Sequence, residues 1–289
     1  MRFLQVYIFA LGILFLLSCS KDTGYAMSEE KRISNIIKAE YIDNNASLKN
    51  VDAYTYILDK KKREVFHQKI YGYDKSISSL SLKNSILYVK IHFFDSNVIK
   101  TIKNLLREDA HMKGLILDLR DNSGGLLSAS ITLVDMFIDK GVIIHKKSRI
   151  KEENRSYYAH QYNSNLSLPL VILINKRSAS ASEIVSGALQ AHQRAILIGE
   201  KSFGKSSIQK VIELKNNRLL KFTIARYILA NQKEMNTGVI PDLSFEKERL
   251  VIKSKEAHIK KRYKAISRSF LYHSKVDNDL LLAVEILSK

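Results

Sequence analysis

Two short segments carry residue types that could make and break acyl bonds. Residues 178–182 read Ser-Ala-Ser-Ala-Ser, between an apolar run and a helical pattern. Small residues there let a hydroxyl stand at a helix N-terminus, where unpaired backbone amides point outward and can stabilise an oxyanion. A serine at such a position also serves as a helix cap. Ser182, directly before Glu183, is the best placed of the three to do so. Residues 199–205 read Gly-Glu-Lys-Ser-Phe-Gly-Lys and set Lys205 beside a glycine in a loop. The segment lacks the GxxxxGK[ST] spacing of a phosphate loop. An uncharged lysine amine can take the proton of a serine hydroxyl and turn it into a nucleophile. On these residues alone, a capping serine and a solvated surface lysine compete with catalysis.

The elements that would position them follow from periodicity. Residues 28–41 read as a helix, with Ile33, Ile36 and Ile37 at helical spacing. Residues 86–91 and 195–198 read as strands, and residues 114–119 and 170–174 as buried ones. Asp95 or Ser96 can cap a helix running to about residue 106. A turn at 121–125 leads into a helical pattern over 126–139, and a second helix covers 183–191. Residues 211–214 and 219–229 flank Asn216-Asn217 as a hairpin, and residues 276–287 form a closing amphipathic helix. Strands alternating with helices predict an α/β domain, a mixed sheet with flanking helices.

Composition narrows the function classes. The 289 residues are 45% hydrophobic and 26% charged, ordinary for a chain that buries a core. The net charge of +18 raises nucleic acid as a partner. The basic clusters at 60–63 and 260–262 lack aromatic interleaving, so nucleic acid is not expected. Anionic lipid headgroups or acidic substrates suit the charge better, and a lysine-rich bias explains it most simply. Residues 3–17 contain no charge and follow Arg2, the pattern of a secretory signal. They end in Leu16-Leu17-Ser18-Cys19, which resembles the bacterial lipobox. Cys19 is the single cysteine and the expected site of lipidation. An exported protein, lipid-anchored to a bacterial membrane, is expected. The eight histidines show no HExxH-type spacing, and no metal or cofactor is expected.

Five ordered blocks bring these observations together. They are Gly114-Leu-Ile-Leu-Asp-Leu-Arg-Asp-Asn-Ser-Gly-Gly125, Ser178-Ala-Ser-Ala-Ser-Glu-Ile184, Gly199-Glu-Lys-Ser-Phe-Gly-Lys-Ser-Ser-Ile-Gln209, Thr223-Ile-Ala-Arg-Tyr227 and Gly238-Val-Ile-Pro-Asp242. Their order and spacing, over residues 86–243, resemble the carboxyl-terminal processing peptidases, the tail-specific proteases of family S41. The resemblance implies a ClpP/crotonase-like core. It implies Ser180 as nucleophile, Lys205 as general base and Gln209, one helical turn beyond the lysine, as the residue orienting that base. It implies an oxyanion hole from the amides of Gly124 or Gly125 and of Ala181. The lysine pKa must then fall from near 10.4 towards neutrality, at a cost of roughly 4 kcal/mol that burial in an apolar pocket can impose.

The implied activity is a serine endopeptidase acting on unfolded or extended proteins near their C-terminal ends. The competing reading is an inactive surface lipoprotein that uses the fold to bind. Expected boundaries are a signal peptide over 1–18, a tether over 19–27, a reduced N-terminal helical segment over 28–80, the peptidase core over 81–245 and a C-terminal helical extension over 246–289. Relatives carry a PDZ domain before the core. Residues 42–86 are too few for one, and residues 230–236 lack the family's Pro-Ser-Gly turn.

Overall fold

The structure, a computed structural model, describes residues 23–42, 56–59, 76–108, 111–160, 167–231, 233–270 and 276–288. Cys19 and the lipobox lie outside them. The chain forms two compact units, the smaller from residues 1–72, 146–154 and 207–226 and the larger from the remainder.

In the smaller unit, helix α1 (Thr23–Glu40) begins five residues before its expected start. Its residues Ile33 and Ile37, followed by Tyr41, recur every four positions and bury one face. They pack with Leu214, Leu220 and Phe222. Strand β1 (Tyr56–Asp59) pairs antiparallel with the strand Arg218–Leu229, which also pairs antiparallel with the strand Ser207–Glu213. The last two are the expected hairpin. Asn216 and Asn217 both have positive φ at its turn, as a two-residue turn matching the strand twist requires.

The larger unit is built on a seven-stranded sheet. Its strands are β2 (Ile77–Leu82), β3 (Ile86–Ile91), β4 (Gly114–Asp118), β7 (Leu170–Ile174), β8 (Ile196–Gly199), β11 (Leu243–Glu246) and β12 (Arg249–Ile252). β5 (Val142–Ser148) and β6 (Arg155–Tyr158) lie outside this sheet, and the hairpin strands above are β9 and β10. The order is β12-β11-β8-β7-β4-β3-β2, parallel from β3 to β11 with an antiparallel strand at each edge. β4 and β7 are buried at every position, as parallel strands covered on both faces must be. Ile116, Val171, Leu173 and Ile198 meet the apolar faces of α5 (Ala257–Ser269) and α6 (Asn278–Leu287). Helices α2 (Val98–Glu108), α3 (Leu127–Asp135) and α4 (Ala181–Ala191) complete the unit, and α3 packs on α4.

Several expectations need correction. The segment 28–80 contains β1 and the start of β2, so it is not purely helical, because pairing to β10 and to β3 holds these short segments as strands. β12 precedes the helices of 246–289. α3 ends at Asp135, four residues early. Asp95 is the cap of α2, its Oδ1 accepting from the amides of Asn97 at 2.8 Å and Val98 at 3.0 Å. Among the described residues, no helix is long and apolar enough to cross a membrane.

Candidate active site

Parallel strands carry their carboxyl ends to the same edge of a sheet, where ligands of open α/β sheets gather. β4, β8 and β7 between them are neighbours in that arrangement. The loops that leave them are residues 119–126, 175–180 and 200–206, and they hold Gly124, Gly125, Ser180 and Lys205, with Ala181 following as the first residue of α4.

The three serines of 178–182 divide into two kinds. Ser178 Oγ donates to Leu119 O at 2.8 Å, and Ser182 Oγ donates to Asn122 O at 2.9 Å. Both fasten the loop after β7 to the loop after β4. Of the three, only Ser180 has no bond to a backbone carbonyl among the described residues. Ser180, and not Ser182, occupies the N-cap of α4, with φ of 56° and ψ of −113°. A non-glycine residue in that region is strained, and such strain persists only where surrounding contacts hold it. Ser182 sits within the first turn, fully buried.

The loop after β4 is held around Asn122, also fully buried. Its Nδ2 donates to Ile91 O at 2.8 Å, and its Oδ1 accepts from the Gly124 amide at 2.8 Å. Gly124 O accepts from Phe94 N, and Phe94 O from Leu126 N. These bonds use the Gly124 amide and leave that of Gly125 without an acceptor among the described residues. The amide of Ala181 likewise has none. A Cβ on Gly124 would lie 2.8 Å from Ser180 Cβ and 3.1 Å from Ala181 N. The glycine therefore lets this loop approach the serine. A Cβ on Gly125 would lie 2.1 Å from Phe94 O, so no side chain fits there.

Glu183 joins the serine to the lysine loop. It is fully buried in the first turn of α4. Its Oε2 accepts from the amides of Ser180 at 2.9 Å and Lys205 at 2.8 Å. Its Oε1 accepts from Ser202 Oγ and the Gly204 amide, both at 2.6 Å. A buried carboxylate needs such compensation, and the helix N-terminus adds to it. The backbone nitrogens of residues 180 and 205 thus touch one oxygen atom, which brings the two segments together. Lys205 is half-buried. Ser202 Oγ also accepts from Val239 N at 2.6 Å, which ties the lysine loop to the fifth sequence block.

Gln209 is placed differently from its expectation. It lies on β9, in the smaller unit, so a strand and not a helical turn follows the lysine. Its Nε2 donates to Ser207 Oγ at 2.6 Å. Beneath the loop after β4, Asp118 is fully buried and accepts from Tyr88 OH at 2.8 Å and from Arg120. Burial first, and the Asp118 charge second, raise the Tyr88 pKa. Among the described residues, no three His, Cys, Asp or Glu side chains gather as a metal site.

Glu183 and Asn122 escaped sequence reasoning. Glu183 had a signal, since Ser180-x-x-Glu183 is a capping-box spacing. Asn122 had only its place in a turn.

Comparisons with known proteins identify the family. The family model for Peptidase family S41 matches residues 85–245, more than half of the chain. The chain belongs to that family. A carboxy-terminal-processing protease of Bartonella bacilliformis is 41% identical over 149 residues, 51% of this chain and 34% of that protein. A carboxyl-terminal-processing protease of Synechocystis sp. is 35% identical over 161 residues, 55% of this chain and 37% of that protein. The chain therefore spans about a third of the length of these curated relatives. The solved photosystem II D1 C-terminal processing protease superposes with a TM-score of 0.52 at 28% identity, over 60% of this chain and 49% of that one. A lipoprotein from Streptococcus agalactiae shares the fold, with a TM-score of 0.55 at 16% identity over 92% of this chain and 88% of that one.

Proposed function

We propose that this chain is a serine endopeptidase with Ser180 as nucleophile and Lys205 as general base. One observation carries the reading: a single buried oxygen, Glu183 Oε2, accepts from the backbone amides of both residues. Ser180 Oγ attacks a peptide carbonyl carbon and passes its proton to the neutral amine of Lys205. The carbonyl oxygen, now negative, accepts from the unused amides of Gly125 and Ala181. The lysine returns the proton to the departing amine, leaving an acyl-serine. A water then gives a proton to the same amine, attacks the ester and frees Ser180. The Gly124 amide, already donating to Asn122, takes no part. The family resemblance assigns Gln209 the orienting of the lysine amine.

The family resemblance assigns as substrates unfolded or extended proteins cut near their C-terminal ends, and the exposed apolar side chains of Leu126 and Phe203 in the site loops support binding of an extended segment. The lipobox spacing supports an exported protein held on a membrane through Cys19. The test uses the full chain in detergent with an unfolded protein substrate. Wild type cleaves it, and Ser180→Ala and Lys205→Ala reduce turnover by at least about a thousandfold. Equal cleavage by wild type and Ser180→Ala refutes the proposal. A wild type that neither cleaves nor labels with a serine-directed phosphonate favours the binding lipoprotein.

A further inference from the structure

The segment after the family match reaches back to the candidate site. Arg120 stands one residue before Asp121, Asn122 and the loop that ends in Gly125. One side of its guanidinium grips Asp118, with Nε at 3.0 Å from Oδ1 and Nη2 at 2.6 Å from Oδ2. The other side grips Asp277, with Nη1 at 2.8 Å from Oδ1 and Nη2 at 2.7 Å from Oδ2. Planar two-point pairing of this kind fixes both partners in orientation as well as distance. Asp277 is also the N-cap of α6, accepting from Leu280 N at 3.1 Å. Behind it, Leu282 and Ala283 are fully buried against the core under β4, β7 and β8. The whole of α6 thus serves as a rigid mount for one carboxylate. Asp279, 3.7 Å from Arg120, stands nearby but makes no hydrogen bond to it.

We propose that Asp277 is a positioning residue: through Arg120 it holds the loop 121–125, and with it the Gly125 amide, in the geometry an oxyanion requires. The catalytic half of this statement rests on the peptidase reading above. The mount lies outside residues 85–245, the span that the family model matches. Asp118, at the end of β4, takes one side of the Arg120 fork and ties it to the sheet, and Asp277 takes the other side and ties it to α6.

Asp277→Asn separates this role from a general loss of stability, because asparagine caps a helix as well as aspartate does and only the charged fork is lost. In the full chain, kcat falls about tenfold with KM unchanged, since a small misplacement of catalytic groups weakens transition-state contacts and not ground-state binding. Asp277→Glu restores at least half of the activity. Independently of turnover, hydrogen exchange at the amides of residues 121–126 quickens about tenfold in Asp277→Asn, with α4 unchanged. Wild-type kcat together with wild-type exchange in Asp277→Asn overturns the proposal. Faster exchange with unaltered kcat overturns its catalytic half. Should wild type prove inactive, the peptidase reading falls, and the exchange result alone decides whether Asp277 holds the loop.

Discussion

Replacing Glu183 by glutamine probes the arrangement on which the candidate site depends. The change keeps shape and removes charge. Four donors face the carboxylate: the amides of Ser180, Gly204 and Lys205 and the hydroxyl of Ser202. A glutamine offers one acceptor oxygen and two N–H donors. Its better orientation points the amide nitrogen at Ser202, whose hydroxyl can turn to accept, and leaves the Gly204 amide facing another donor. An orphaned buried amide costs about 1–3 kcal/mol. The bonds that remain lose their charge assistance, which roughly halves their strength. The total is about 2–5 kcal/mol. At roughly 2 °C per kcal/mol for a chain of this size, the melting midpoint falls by about 4–10 °C. On the proposed dyad, the change shifts the Ser180 segment against the Lys205 segment, so kcat falls about a hundredfold. KM stays within a factor of about three, because Glu183 is buried and meets no substrate. Differential scanning fluorimetry and steady-state kinetics on one preparation read both quantities. A Glu183→Gln protein with wild-type kcat and melting midpoint would show that the shared carboxylate does not couple the two segments.

Two further outcomes are expected. Gly125→Ala forces a Cβ against Phe94 O in a backbone region with φ of 147°, so the loop must move. Activity falls at least about a hundredfold and stability by about 1–3 kcal/mol, read by kinetics and denaturant melts. Asp279 concerns pH. Burial first, then the charges of Asp277, Asp118 and Glu200, push its carboxyl up to about 6 despite Arg120. A carboxyl that holds its proton more tightly in the fold than in the unfolded chain contributes stability that is fully present below about pH 4. That stability is lost as pH rises through about 6, at a full value of about 3 kcal/mol. Asp279→Asn therefore raises stability at pH 7.5 and flattens the profile between about pH 4 and 6. Asp277 acts in the opposite sense at the acid end: burial alone would raise its carboxyl, but hydrogen bonds from Arg120 and Leu280 hold it below the ordinary value. An unchanged profile in Asp279→Asn refutes the assignment.

Much of the fold could be read from local pattern. β3 and β7 match their expected ranges at both ends, β7 because a strand buried on both faces is a short unbroken apolar segment. The hairpin was legible in Asn216-Asn217, since asparagine tolerates the positive φ that the turn needs. The helical reading of 28–80 failed where β1 lies, because four residues paired to a distant strand leave no period in their own sequence. The helix expected beyond Lys205 failed for a related reason: β9 is a strand only because β10 lies beside it.

By itself the sequence determined the family, through five blocks in order, and with it which serine and which lysine to consider. Residue types at fixed spacing survive as a pattern whatever surrounds them. Tertiary structure alone decided the division of labour among Ser178, Ser180 and Ser182, because the Ser178 and Ser182 hydroxyls each donate to a carbonyl some sixty residues away and, among the described residues, the Ser180 hydroxyl does not. It also decided which glycine amide stays unused, and that one carboxylate at 183 reaches both segments. Those are matters of direction in space. Hydrogen bonds are short and directional, and a linear pattern carries distance along the chain but no direction.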